Sequence, residues 1–211
     1  MNTQPSTVHI VDDDEPFRAA LARLLRVTDH RVQTYSCAKD FLDSSAITGP
    51  GCVIVDLCMP GTNGLELQDA LAAMENPLPV IFLSGQGDIP SSVRAMRRGA
   101  EDFLTKLAPR EELLNAVTRA LARDEMERSQ RNHVRELRKR LAELSHRERE
   151  VLALVVRGKL NKQIAAELGI HERTVKLHRT SITTKLRVPS VAELTLLVQE
   201  ADYRAEGGLF E

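Results

Sequence analysis

The sequence contains no apolar run approaching the roughly 20 residues that span a bilayer, and its N-terminus lacks the basic-then-apolar order of a secretory signal. A membrane-spanning or exported chain is thereby excluded from the reading, and a cytoplasmic location without membrane partners is expected. Cysteine is equally sparse. Cys37, Cys52 and Cys58 are odd in number, have no CxxC spacing and lie in or beside apolar segments, which favours free structural thiols over a redox sensor. All three are expected to be buried or half-buried thiols. No internal repeat and no low-complexity segment interrupts the chain. Net charge is nearly absent as well, at −1, but that figure conceals a division.

Residues 1–121 carry 16 Asp/Glu against 11 Lys/Arg, whereas residues 122–211 carry 14 against 18. Within 144–190 the imbalance sharpens to 4 acids and 10 bases. An acidic front and a basic back point to a nucleic-acid partner for the back half. With 42% hydrophobic and 28% charged residues, the composition is that of a soluble globular chain, and 211 residues suit an ordinary domain followed by a small one.

The front half alternates in type. Short β-branched runs at Val8–Val11, Val32–Tyr35, Val53–Val55, Val80–Leu83 and Phe103–Leu104 read as strands. Between them lie helix-spaced sets such as Phe17, Leu21, Leu24 and Leu25, or Leu65, Leu67, Leu71 and Met74. Alternation of this kind predicts an α/β fold, an open parallel sheet with helices on both faces. Residues 110–143 hold no glycine or proline, which predicts one long helix or two in series. There Val134, Leu137, Leu141 and Leu144 step by three, four and three. This stripe suits either packing on its own domain or a short coiled-coil dimer. Ser145 and Glu148 form a capping box that opens a further helix to about Arg157. Two more are expected from about Asn161 to Leu168 and from Glu172 to about Leu186, and a fourth follows Pro189-Ser190. The domains are then 1–121, a helical linker at 122–143, and 144–211.

Ligands of open α/β sheets gather beyond the carboxyl ends of the strands. Asp12, Asp13 and Asp14 follow the first strand, Asp56 closes the third, Ser84 the fourth and Lys106 the fifth. Carboxylates crowded together repel, and a divalent cation held by oxygen ligands relieves them; Mg²⁺, or Mn²⁺, is the natural occupant. One carboxylate could then attack a phosphoryl donor, with the metal and a lysine offsetting charge on the transferring oxygens. The plainer role of Asp12–Asp14 is to cap the helix beginning near Pro16.

The segments VHIVDDDEP, VIVDLCMPGTNGLEL, PVIFLSGQGD and GAEDFLTK resemble the receiver motifs of two-component response regulators, over about the first 121 residues. The resemblance implies a flavodoxin-like five-stranded receiver in which Asp56 accepts a phosphoryl group from a sensor histidine kinase. By the same resemblance Asp12, Asp13, Asp56 and the backbone carbonyl of Cys58 hold the metal. Ser84 matches the switch hydroxyl, Phe103 the switch aromatic and Lys106 the family's lysine. One departure is evident: receivers usually carry proline after that lysine, with a cis bond before it, and here Leu107 stands in its place. Because a cis bond before leucine costs about 3 to 4 kcal/mol, a trans bond and a rerouted Lys106 loop are expected.

In the basic half, Asn161-Lys162-Gln163-Ile164-Ala165, the Gly169 turn and Thr174-Val175-Lys176-Leu177-His178-Arg179 suit two short helices, the second entering a major groove. Val175, Ile182 and Leu186 should face the core, leaving Lys176, Arg179, Thr180 and Thr183 outward. The stretch from Leu144 to Leu194 resembles the LuxR-type four-helix DNA-binding domain of NarL/FixJ response regulators. That resemblance implies base-facing roles for Lys176, Leu177 and Thr180, and phosphate contacts from Asn161, Lys162, Thr174 and Arg179. Val191, Leu194, Leu197 and Val198 would supply a dimer contact, or pack within their own unit. The partners implied are a histidine kinase, promoter DNA, a second copy on activation and RNA polymerase.

The leading expectation is a phosphorylation-dependent, DNA-binding transcription regulator, not an enzyme beyond its own phosphorylation and slow dephosphorylation. Two others stand beside it. An aspartyl-phosphate hydrolase would need a second acid two positions after Asp56, where Cys58 stands. A constitutive DNA-binding protein with a degenerate receiver draws its support from Leu107.

Overall fold

The computed structural model describes residues 5–85, 89–188, 193–195 and 197–198. It divides into two compact units, Met1–Ser129 and Gln130–Glu211.

The first unit is a sheet of five parallel strands, β1 (Thr7–Val11), β2 (Arg31–Tyr35), β3 (Gly51–Asp56), β4 (Val80–Ser84) and β5 (Asp102–Thr105), in the order β2-β1-β3-β4-β5. Helices α1 (Glu15–Val27), α2 (Ala38–Leu42), α3 (Gly64–Ala72), α4 (Ile89–Arg97) and α5 (Arg110–Ala142) connect or follow them. Both faces of the central strands are covered, which is why β3 and β4 read as unbroken apolar runs. Alternate residues serve opposite cores. Val53, Val55, Val80 and Phe82 pack with Phe41, Leu67 and Leu71 of α2 and α3. Val8, Ile10, Ile54 and Ile81 pack with Leu21 and Leu25 of α1 and with Leu113, Ala116, Val117 and Ala120 of α5.

Helix α1 starts where Asp14 caps it, accepting from Phe17 N at 3.1 Å, with Pro16 in its first turn. One of the three consecutive aspartates thus serves as the cap. Helix α3 starts at a capping box between Asn63 and Glu66. Its first residue is glycine because a Cβ there would lie 2.6 Å from the Asp56 carbonyl oxygen and 3.0 Å from the Phe82 ring. Only a bare backbone lets α3 approach the end of β3 so closely.

Residues 110–142 form one helix. Past the sheet, α5 remains tied to the first unit: buried Asp124 accepts from Gly51 N at 2.8 Å and from Arg128 Nε at 2.8 Å. Arg128 also donates to the carbonyls of Thr48 and Gly49. Residues 122–129 are therefore part of the first unit, and the division falls inside α5. The apolar stripe further along the helix is covered within one chain. Val134, Leu137, Leu141 and Leu144 are all buried, the last three in the core of the second unit. Of the two roles the spacing allows, packing within its own chain is the one these side chains take here.

The second unit is helical, with α6 (His146–Val156), α7 (Asn161–Leu168) and α8 (Glu172–Leu186) around Val151, Leu152, Ile164, Val175, Ile182 and Leu186. Gly169 ends α7 with φ 64°, a left-handed turn that glycine adopts without strain. Residues 193–195 and 197–198 are also helical, and Leu194, Leu197 and Val198 are buried in this core. Packing inside the unit accounts for the apolarity of these three; Val191 lies outside the described residues. Among the described residues, no helix is long and apolar enough to cross a membrane.

Glu148 braces this unit. Buried at the start of α6, it accepts from Ser145 N at 2.7 Å, completing the capping box, and from Ser181 Oγ at 2.6 Å and Lys185 Nζ at 2.7 Å of α8. Burial pushes its carboxyl up, but the hydrogen bonds from Lys185, Ser181 and Ser145 outweigh it and hold the group down to about 2. A carboxyl depressed by folding stabilises the fold above its unfolded value and loses that contribution as pH falls from about 4.5 to about 2. Glu148→Gln is expected to cost about 1–3 kcal/mol near neutrality, in denaturant unfolding, and to remove that acid sensitivity.

His9 on β1 clusters with the Tyr35 and Phe41 rings, 6.0 and 5.3 Å away and 5.1 Å from each other, and neither of its nitrogens has a hydrogen-bond partner among the described residues. Burial pushes it down to about 4 from 6.5. It is therefore neutral in the fold, and its unfavourable protonation destabilises the first unit progressively from pH 6.5 to about 4. The gap in melting temperature between His9→Val and the parent chain should widen over that window in calorimetric scans.

Candidate functional site

The strand order reverses between β1 and β3, so the crevice of the sheet opens at the carboxyl ends of these two strands. Asp12 follows β1 and Asp56 ends β3, both buried, and exposed Asp13 lies beside them. One carboxylate oxygen from each lies within 4.8 Å of the others, the spacing at which three oxygens can share one cation. Lys106, just beyond β5, reaches the same point: its Nζ is 2.8 Å from Asp12 Oδ2 and 2.8 Å from Asp56 Oδ2. Burial pushes the Asp12 carboxyl up and prevails over the opposing Lys106 hydrogen bond. Burial works to lower the Lys106 ammonium, but its hydrogen bonds to Asp12 and Asp56 prevail and raise it. An acid less willing to ionise beside a lysine more firmly charged marks a pocket short of positive charge, which suits a divalent cation.

The surrounding backbone fixes these groups. Asp12 Oδ1 accepts from Asp14 N at 2.9 Å, the Asp12 carbonyl accepts from the Arg18 guanidinium, and Asp56 Oδ1 accepts from Cys58 N at 3.2 Å. Lys106 N donates to Ser84 O at 2.8 Å, placing the lysine beside the end of β4, where the Ser84 side chain is buried. Phe103 is half-buried on β5, its ring stacked on Phe82 at 5.9 Å between centroids. The structure thus gathers Asp12, Asp13, Asp56, Cys58, Ser84 and Lys106 around one strand edge and sets Phe103 inward.

Two expectations are corrected here. The Lys106–Leu107 peptide is trans as expected, but the loop does not carry the lysine away, because Lys106 N remains bonded to β4 and a turn closes from Ala108 N to Thr105 O at 2.9 Å. Leu107 itself is 91% exposed. Of the thiols, Cys52 is buried and Cys37 half-buried, but Cys58 is exposed, since its loop is tied to the site through backbone while the side chain faces solvent. Two contributors escaped the sequence reading. Arg18 and Phe17, both on α1, touch the site, Phe17 with its ring centroid 4.6 Å from Lys106 Nζ. Phe17 was legible only as a member of an apolar helix face; its position in the first turn after the acidic run was the available signal.

In the second unit α7, the Gly169 turn and α8 form a helix-turn-helix. Val175, Ile182 and Leu186 face the core as the spacing predicts, leaving Lys176, Leu177 and Thr180 of α8 exposed. Leu177 is 65% exposed, an apolar side chain held in water on a basic helix. Thr180 Oγ1 donates to its own helix at Lys176 O, 3.1 Å away. Lys162 is exposed, and Thr174, Asn161 and Arg179 are half-buried. Arg179 Nη1 donates to Asn161 Oδ1 at 2.7 Å, so these two residues form a pair bridging α7 and α8.

Comparison with known proteins agrees with both halves. The family described as response regulator receiver domain matches residues 8–118, and the luxR family of bacterial regulatory proteins matches residues 142–198. The response regulator protein TmoT of Ectopseudomonas mendocina is 42% identical over 199 residues, 94% of this chain and 90% of the relative. The transcriptional regulatory protein FixJ of Azorhizobium caulinodans is 41% identical, over 89% of each. Among solved structures, the response regulator StyR superposes with a TM-score of 0.85 at 42% identity, covering 93% of this chain and all of that one. Receiver and LuxR-type DNA-binding domain together make this chain a member of the NarL/FixJ type of two-component response regulators, phosphorylation-dependent regulators of transcription.

Proposed function

We propose that Asp56 is the phosphoacceptor and that its phosphorylation by a sensor histidine kinase controls promoter binding through α7 and α8. The observation that carries this reading is the meeting of Lys106 Nζ with Asp12 and Asp56, at 2.8 Å from each, beside a third carboxylate. A structural cap needs none of that convergence. An Asp56 oxygen would attack the phosphorus of a phosphohistidine; the P–N bond breaks and its electron pair stays on the imidazole nitrogen, which takes up a proton. Asp12, Asp13, Asp56 and the Cys58 carbonyl would hold Mg²⁺ or Mn²⁺, which when bound neutralises phosphoryl oxygens. The chain's own part is to present the Asp56 nucleophile, hold Lys106 for a phosphoryl oxygen, and offer the Ser84 hydroxyl to the acyl phosphate. Movement of Ser84 and Phe103 would then shift the population toward a dimer that engages paired half-sites, where RNA polymerase is recruited.

On DNA, Lys176, Leu177 and Thr180 would face bases, and Asn161, Lys162, Thr174 and Arg179 the backbone. The Asn161–Arg179 pair supports this division by fixing the guanidinium at the junction of the two helices.

Sedimentation of the full-length protein with beryllofluoride and Mg²⁺, a stand-in for the phosphoryl group, should show a monomer-to-dimer shift that Asp56→Asn abolishes. Unchanged mass would remove phosphorylation-driven dimerisation. Lys162→Ala and Arg179→Ala should each lower the slope of log affinity against log salt by about 0.9 per half-site, about 1.8 for the dimer, while Leu177→Ala weakens binding without changing the slope. Titrations of promoter DNA at several salt concentrations read both.

A further inference from the structure

Lys106 is held by more than its two carboxylates. Its ammonium sits 4.6 Å from the centroid of the Phe17 ring, within the distance at which a cation is attracted to an aromatic face. The rest of its support is uneven. The backbone is anchored through Lys106 N to Ser84 O, but the next residue, Leu107, is 91% exposed and braces nothing. The carboxylate contacts are also conditional, because Asp12 and Asp56 belong to the acidic cluster that suits a divalent cation. Carboxylates that share a cation have less charge to offer an ammonium. The Phe17 ring differs in kind: it is uncharged, it does not ligate Mg²⁺, and it is fixed by α1, one turn after the Asp14 cap.

We propose that Phe17 is a positioning residue of the phosphorylation site, its ring face keeping the Lys106 ammonium at Asp56 whichever cation the carboxylates attend. This rests on the reading of Asp56 as phosphoacceptor and adds, on α1, an anchor for the lysine side chain to the backbone anchor that the loop beyond β5 supplies. Arg18, the next residue, bonds the Asp12 carbonyl, so the first turn of α1 steadies a lysine and a metal ligand together.

The test uses the full-length chain, acetyl phosphate as donor and saturating Mg²⁺. Phe17→Leu, which keeps an apolar side chain but no ring, should slow phosphorylation roughly three- to tenfold, and Phe17→Tyr should restore the rate. In a Lys106→Gln background, Phe17→Leu should cause no further loss. The physical signature is independent of turnover: in protein labelled with ¹³C at lysine Cε, the Lys106 signal, identified by its absence in Lys106→Gln, should be shifted upfield by the ring in the parent and in Phe17→Tyr, and lose that shift in Phe17→Leu. An unchanged rate in Phe17→Leu, an equal loss with and without Lys106, or an unshifted Lys106 signal in the parent overturns the proposal. Phosphorylation that persists in Asp56→Asn, or none in the parent, overturns the acceptor reading beneath it, while the lysine signal still reports whether ring and ammonium meet.

Discussion

Two carboxylates at the ends of adjacent parallel strands cannot both stay charged in a partly dry crevice unless positive charge is brought to them. In this chain the register of β1 against β3, with Val11 beside Val55, puts Asp12 and Asp56 side by side. The remedy is Lys106, delivered from the far edge of the sheet by the pairing of Ser84 with Thr105. Much of the first unit follows from that electrostatic demand. β3 and β4 must be buried to seal the crevice, α3 must begin with a glycine to close on β3, and α1 must begin with a cap that leaves Asp12 free for the site. Stability and function here share one set of groups: the same ammonium that allows the acids to coexist is the cation that a phosphoryl oxygen would meet.

The fold was legible where burial on two faces leaves a plain mark. The strands at Val53–Val55 and Val80–Leu83 have no polar residue to break the run, and the first polar residues at or just past the ends of β1, β3 and β4, namely Asp12, Asp56 and Ser84, stand at the crevice by topology alone. The helix-turn-helix was legible for a different reason: a capping box at Ser145 and a left-handed glycine at 169 fix helix ends by local chemistry, without reference to the rest of the chain.

What escaped depends on contacts distant in sequence or on weak local signals. Helix α2 has five residues and a thiol for a cap, Cys37 Sγ standing 3.5 Å from Asp40 N, and neither feature has a distinctive pattern. Asp124 reads as one charge in a charged helix; only the fold brings it to Gly51, 73 residues away. The stripe from Val134 to Leu144 had the spacing of a coiled coil because a seam against another helix and a seam against one's own core demand the same three-four step. Phe17 counted as core, and it does pack against the core, half-buried, while its ring also meets the lysine.

Glu148 carries a consequence of another kind. One carboxylate closes the start of α6 and receives Ser181 and Lys185 from α8, so the beginning of one helix and the latter half of another answer to a single side chain. Changes at Ser145, Ser181 and Lys185 are therefore coupled, each altering what the others are worth. A change at any of these three positions leaves Glu148 short of one bond, while Lys176, Leu177 and Thr180, nearer the start of α8 and exposed, stand outside the brace, so exchange there leaves its bonds intact. The brace and the exposed surface occupy one helix but can be altered independently.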